Sequence, residues 1–251
     1  MILAAKVALV TGASRGIGRA IARAFASEGA KVAVVYNRSP EPAEKLVQEI
    51  AQKGGEAVAF QADVKDFESA QKIVQQTIDK WGQLDILVNN AGVIRDKLFV
   101  TMEPDDWNEV VHTNLGGAFN FSRAAGVFMM RARRGKIINI SSVAGEFGGR
   151  GQVNYAASKG AINAMTRSLA AELAPRNVNI NAIAPGLIET EMSETVRNLV
   201  GEEIKKIIPL KRCGKPEEIA ALAVFLASPA ADYITGQVIT IDGGLSLGGI
   251  R

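Results

Sequence analysis

The sequence predicts an α/β fold in which one doubly wound, seven-stranded parallel sheet carries helices on both faces. Three observations predict it. Short β-branched runs alternate along the 251 residues with longer segments rich in Ala, Leu, Glu and Lys. Several of the short runs are almost continuously apolar, as strands covered on both faces must be. A glycine-rich turn, "TGASRGIG" at 11–18, follows the first run directly and opens the first helical segment, the arrangement that starts a dinucleotide-binding sheet.

The elements follow in order. "KVALVT" (6–11) is the first strand; the N-terminus before it is apolar but has no basic region or cleavage site, so it reads as strand and not as signal peptide. "KVAVVY" (31–36), "EAVAFQ" (56–61), "LDILVNN" (84–90), "KIINISS" (136–142), "NVNINAIA" (177–184) and "QVITID" (237–242) supply the other six strands. Six helical segments with apolar periodicity lie between them, at 16–29, 41–53, 66–82, 105–132, 154–174 and 216–227. No linker, composition break or repeat divides the chain, which predicts a single domain over 1–251. One stretch breaks the rhythm: 186–214 has no strand and follows one, and so long an insertion at the carboxyl end of a strand reads as a substrate lid.

Composition narrows the function. The chain is 47% hydrophobic and 22% charged, as ordinary globular domains are, with a net charge of only +3. Its densest basic cluster is "RARR" at 131–134, whereas a nucleic-acid binder shows a basic stripe or tail. A single cysteine, Cys213, excludes an intramolecular disulfide and a cysteine-based metal site. No apolar run reaches membrane-spanning length, so the expectation is a soluble, cytoplasmic protein with no metal.

In the turn, Gly12 permits a tight bend, Gly16 lets the backbone approach a pyrophosphate and Gly18 allows close helix–strand packing. The helix N-terminus then offers free N–H groups to the phosphates. An NAD site places an acid at the end of the second strand for the ribose hydroxyls. Here that place reads Tyr36, Asn37, Arg38, Ser39. Arg38, with Arg15 inside the turn, instead suits the 2′-phosphate of NADP.

These pieces, with "ADV" (62–64), "NNAG" (89–92), "HTNLGG" (112–117), "NISSVAG" (139–145), "YAASK" (155–159), "PGLIETEM" (185–192) and "ITGQVITIDGG" (234–244), resemble the short-chain dehydrogenase/reductase family from about residue 4 to 247. The resemblance implies a Rossmann-type domain and a catalytic set of Asn114, Ser142, Tyr155 and Lys159. It makes Tyr155 the general acid/base, Lys159 its electrostatic partner, Ser142 the carbonyl's hydrogen-bond donor and Asn114 the holder of a relay water. It also implies cofactor contacts from Gly12, Ser14, Arg15, Gly16, Ile17, Gly18, Asn37 and Arg38. Further contacts are implied at Asp63, Val64, Asn90, Ala91, Gly92, Tyr155, Lys159, Pro185, Gly186, Ile188 and Thr190. Within the family, "PLKRCGKPEEIA" and "VNYAASKGAI" are most similar to bacterial 3-oxoacyl-[acyl-carrier-protein] reductases. That similarity implies NADPH-dependent reduction of a 3-oxoacyl thioester, as in fatty-acid biosynthesis. It also implies docking of acyl carrier protein on Arg133 and Arg176 at the active-site rim, and a homotetramer. Ordinary solvated helix ends would show the same arginines.

The chemistry gives Tyr155 and Lys159 a reason to lie one helical turn apart. A phenol with a pKa of about 10 donates poorly at neutral pH. An ammonium about 6 Å away at an effective dielectric near 20 favours the phenolate by roughly 2–3 kcal/mol, which lowers the phenol by about two units. The same mechanism on acetoacetyl-CoA, a polyketide, a sugar or another small ketone or alcohol is the alternative. A non-catalytic NADP-binding regulator is a different class, and it would not need all four catalytic positions. A Ser–His–Asp hydrolase is rejected: "NISSVAG" is no G-x-S-x-G elbow, and the only histidine, His112, reads as a helix-surface residue. Cys213, beside Arg212 and Lys215, reads as a passive thiol.

Overall fold

The computed structural model describes residues 1–250, apart from the side chains at 196, 199, 200, 202, 204, 205, 249 and 250. Seven strands form one parallel sheet: β1 (Val7–Thr11), β2 (Lys31–Tyr36), β3 (Ala57–Gln61), β4 (Ile86–Asn89), β5 (Gly135–Ile140), β6 (Val178–Pro185) and β7 (Val238–Ile241). Their spatial order is β3-β2-β1-β4-β5-β6-β7, so the winding reverses between β1 and β4. At such a reversal the strand ends open a crevice, and ligands bind there.

Alternation along the strands explains their unbroken apolar sequence. Ala8, Val10, Ile86, Val88, Ile138 and Ile140 join the core on one face. Val7, Leu9, Leu87 and Ile137 join the core on the other. Helices α1 (Gly16–Ser27), α2 (Pro40–Gln52) and α10 (Pro216–Ala227) cover the first face. Helices α3 (Phe67–Trp81), α5 (Gly117–Ala132) and α7 (Val153–Leu173) cover the second. A buried polar ladder crosses that second face: Asn89 Nδ2 donates to Ser122 Oγ and Asn139 Oδ1, and Asn139 Nδ2 donates to Thr166 Oγ1. It fixes β4 and β5 to α5 and α7.

One predicted helix is corrected. The segment 105–132 is not continuous: α4 (Pro104–Val111) passes into a π-helical turn, His112–Gly116, before α5 begins. The cause is local. The Asn114 side chain turns inward to bond the backbone of Val93, and the wider turn accommodates it. A short α6 (Ala144–Phe147) follows β5. The excursion after β6 contains α8 (Glu194–Val200) and α9 (Ile204–Ile207). Its neck is clipped shut, because Gly214 N donates to Leu187 O and Glu189 N to Gly214 O, each at 2.9 Å.

Candidate active site

The phosphate turn is held by its neighbours. Gly12 and Gly16 have φ of +63° and +54°, in the region that favours glycine. A Cβ on Gly18 would lie 2.4 Å from Asn90 Nδ2 and 2.5 Å from Gly12 O, so only glycine fits there. The Asn90 carboxamide donates to the Thr11 and Gly12 carbonyls, while Thr11 Oγ1 accepts from Asn90 N and Ala91 N. Asn90 therefore buttresses the turn with its side chain. Arg15, at the N-cap of α1, makes no side-chain cap bond, and the first turn of α1 has no acid. The N–H groups of Ser14 and its neighbours up to Ile17 are thus left for an anion, which is what a dinucleotide pyrophosphate requires.

Around that turn the predicted contacts divide. Arg38, next to Asn37 beyond the end of β2, is exposed and has no ion pair among the described residues. Arg15 is not free: its guanidinium meets Glu191 Oε2 at 3.0 Å. Asp63 caps the N–H of Lys65. The Val64 side chain is spent in the core, where a Cβ on Gly117 would meet it at 2.7 Å. Gly186 has Asp242 where its own Cβ would be, Pro185 closes β6, and Ile188 is buried. Thr190 reaches over the phosphate turn, with its Cγ2 3.4 Å from a Cβ placed on Gly16.

The catalytic candidates meet where β4 and β5 end. Asn114 is 1% exposed. Its Oδ1 accepts from Val93 N at 2.8 Å, and its Nδ2 donates to Val93 O and Ser158 Oγ, both at 3.1 Å. Ser158 Oγ in turn donates to the Tyr155 carbonyl at 2.7 Å. Gly92 brings its backbone close to Asn114 and to Lys159 Nζ, with 3.2 Å and 3.8 Å left for a Cβ. Lys159 is 4% exposed and donates from Nζ to Ile140 O at 2.7 Å. The same ammonium lies over the Tyr155 ring, 5.6 Å from its centroid. Ser142, just past β5, accepts from Ala144 N at 3.1 Å and lies close enough to the Tyr155 phenol to pull it down. All four side chains come together.

The electrostatics correct one expectation. Burial pushes the Tyr155 phenol above its ordinary value; the nearby Ser142 hydroxyl works against this, and the Asp96 carboxylate adds to it. The Lys159 ammonium, bonded to the sheet and facing the ring, does not outweigh that burial. Burial also brings Lys159 itself down to about 8. Between them, Ser158 is buried against Asn114 and Ala157 is exposed.

A second correction concerns the arginines. Arg133 caps α5 with φ of +52° and reaches the Pro175 carbonyl, so it lies beside Arg176. They precede β5 and β6 at the amino ends of these strands, the end of the sheet opposite Ser142 and Tyr155. From Tyr155 to Arg176 the chain runs the length of α7, about 30 Å at helical rise. They are not at the rim of this chain's own site. His112 is exposed on the π turn, as expected. Burial and the Glu189 carboxylate push the Cys213 thiol up, against a smaller opposing pull from Arg197, and Arg212 is turned to Glu218, so the thiol is held above its ordinary value. The residues that sequence reasoning missed are Thr11, Asn154 and Ser158. Each is a small polar side chain whose role depends on long-range partners, and only the adjacency of Asn154 and Ser158 to Tyr155 and Lys159 marked them.

Comparison with known proteins agrees with this geometry. A family model described as enoyl-(acyl carrier protein) reductase matches residues 12–246. The 3-oxoacyl-[acyl-carrier-protein] reductase of Synechocystis sp. is 48% identical over 97% of this chain and 98% of its own length. Those of Staphylococcus aureus and Thermotoga maritima are 46% and 45% identical over 96% and 98% of the chain, and 98% and 99% of their own lengths. Among solved structures, a protein from Agrobacterium tumefaciens described as a gluconate dehydrogenase superposes with a TM-score of 0.93 at 38% identity, covering 97% of this chain and 96% of that one. One from Beutenbergia cavernae, described as an NAD(P)-dependent gluconate 5-dehydrogenase with bound NADP, gives 0.92 at 40% identity and covers 98% of both chains. With the glycine turn at the winding reversal and the Ser142–Tyr155–Lys159 cluster beside it, these likenesses establish that the chain belongs to the short-chain dehydrogenase/reductase family, oxidoreductases that use a nicotinamide cofactor.

Proposed function

We propose that the protein is an NADPH-dependent reductase of 3-oxoacyl thioesters, with acyl carrier protein as the carrier of its substrate. The observation that carries this is the convergence of the Ser142 hydroxyl and the Tyr155 phenol beside a buried ammonium, next to the phosphate turn. NADPH, when bound, supplies the hydride. The chain's own residues do the rest. Ser142 and Tyr155 donate hydrogen bonds to the ketone oxygen and stabilise the negative charge that develops there. Burial holds the phenol above its ordinary value, so it is protonated at neutral pH, and it gives that proton only to the more strongly basic oxygen that hydride addition to the ketone creates. Lys159, still charged below about pH 8, stabilises the phenolate left behind. Asn114 fixes Val93 and Ser158 around the site, and through Ser158 the backbone of Tyr155.

NADP is favoured over NAD because Arg38, exposed and without an ion pair among the described residues, stands beside Asn37, where an acid would bind the ribose hydroxyls. Thr190 and Glu191, at the start of the 186–214 excursion, lie against the phosphate turn, which supports that segment as a lid over a single catalytic domain. The relatives from Synechocystis, Staphylococcus aureus and Thermotoga maritima are 3-oxoacyl-[acyl-carrier-protein] reductases, and that supports the thioester. In a homotetramer, the Arg133–Arg176 edge of one protomer can serve only the site of another, because its own lies on the far side of the sheet. The likeness to gluconate dehydrogenases supports a second reading, the same mechanism on a sugar acid. Initial rates with acetoacetyl thioesters on carrier protein and on CoA, against gluconate with NADP, separate the two. Arg133→Glu with Arg176→Glu is expected to impair turnover of the carrier-bound substrate at least tenfold and to spare the CoA thioester; equal rates on both would end the docking assignment.

A further inference from the structure

We infer that Asn154 is a positioning residue for the catalytic phenol: its buried carboxamide locks the first turn of α7 to the loop after β4 and to α4, and so sets Tyr155 against Ser142 and Asn114. The inference rests on the assignment of Tyr155 as the proton donor. Tyr155 is the third residue of α7, in the turn whose N–H groups have no intrahelical partners. Gln152, the N-cap, offers no side-chain bond to that turn. A proton donor placed there would sit on the least constrained part of the helix. Lys159 lies one turn deeper and is anchored independently to Ile140.

Asn154 supplies the missing constraint. Its side chain is 0% exposed and makes three hydrogen bonds. Oδ1 accepts from Tyr155 N at 2.7 Å, which satisfies the orphan donor of the catalytic residue itself. Nδ2 donates to Arg95 O at 3.0 Å and to Asp106 O at 3.2 Å, which uses both of its hydrogens. Arg95 belongs to the loop leaving β4, and Asp106 to the first turn of α4, the helix that leads into the π turn carrying Asn114. One carboxamide thus ties the backbone of Tyr155 to the two segments that hold Asn114 and Val93. An outer clasp reinforces it: Gln152 Nε2 donates to Asp96 Oδ2 at 3.0 Å, Lys97 N to Gly151 O at 2.9 Å, and Lys97 Nζ to Asp106 Oδ2 at 2.7 Å. No other residue type meets these demands at position 154. An aspartate would face two carbonyl oxygens, and a leucine would remove the partner of the part-buried Tyr155 N–H and Arg95 carbonyl.

The test compares Asn154→Ala, Asn154→Ser and Tyr155→Phe in the full-length enzyme with NADPH and acetoacetyl-CoA. Serine keeps an acceptor for the Tyr155 N–H but reaches neither carbonyl, and provides a folded second variant if alanine does not. Both position-154 variants are expected to lose tenfold or more in kcat, because a displacement of the donor by a fraction of an ångström to one ångström costs that much. Their dissociation constant for NADPH, read by its fluorescence, is expected to stay within about threefold, since the phosphate turn is untouched. A merely structural role would lower the melting temperature and leave kcat per folded site unchanged. A kcat within twofold of the parent, in a variant shown by its melt to be folded, overturns the inference while an inactive Tyr155→Phe leaves the tyrosine assignment standing. If Tyr155→Phe is itself active, that assignment falls and the positioning role falls with it.

Discussion

Tyr155 and Lys159 show how far a pair of residues can be read before its surroundings are known. Their one-turn spacing, with Ser142 and Asn114, identifies the site from sequence alone, because spacing is local information. Their electrostatics are not local. Burial of the phenol and of the ammonium arises from α7 packing on β5 and from Gly92, residues far apart in the chain, and it reverses the expected direction for the tyrosine. Two predictions belong at this scale. Tyr155→Phe is expected to bind NADPH normally and lose about 10²–10⁴-fold in kcat, the range of general acid catalysis, by steady-state kinetics and fluorescence titration. For the pH dependence the sign is set by Lys159, whose charge is full below its value of about 8 and lost above it. The kcat/KM for reduction should therefore be level from pH 6 to 7 and fall as pH rises through about 8. A profile that instead rises across that interval would show that the ammonium is not needed.

At the scale of elements, the strands and the outer helices were legible because apolar alternation and periodicity report burial directly. The π turn at His112–Gly116 was not, since it depends on Asn114 finding Val93 across the crevice. The phosphate turn combines both kinds of information. Its glycines are visible in sequence, but the reason Gly18 must be glycine is the Asn90 carboxamide behind it. Gly18→Ala is accordingly expected to weaken NADPH binding at least tenfold, measured by fluorescence titration, while the CD spectrum stays that of a folded α/β protein. The Arg15–Glu191 pair joins the turn to the 186–214 excursion, but both side chains are about two-thirds exposed or more, 73% and 66%. Such a pair contributes at most about 1 kcal/mol. Glu191→Gln should then tighten NADPH binding by no more than about fivefold, by freeing Arg15 for the phosphates; a loss of binding would show that Glu191 holds the turn open instead.

For the molecule as a whole, the parallel strand direction puts chemistry at the carboxyl ends of the strands and the two arginines expected to dock a carrier at the amino ends. Sequence could bring Arg133 and Arg176 to notice but could not place them, because a residue's end of the sheet follows from strand direction and not from its neighbours. The thioester reading therefore depends on assembly: sedimentation velocity is expected to give a species near four chains, and a stable monomer active on carrier-bound substrate would contradict delivery between protomers. The central claim, reduction of a 3-oxoacyl thioester by the Ser142–Tyr155–Lys159 site, meets its most direct test in one substrate panel. Oxidation of NADPH is followed at 340 nm on the order of seconds to minutes with acetoacetyl thioester, and formation of NADPH with gluconate and NADP. The account predicts a kcat/KM for the thioester at least 100-fold above that for gluconate, abolished by Tyr155→Phe; the opposite ranking, or a thioester rate untouched by Tyr155→Phe, would contradict it.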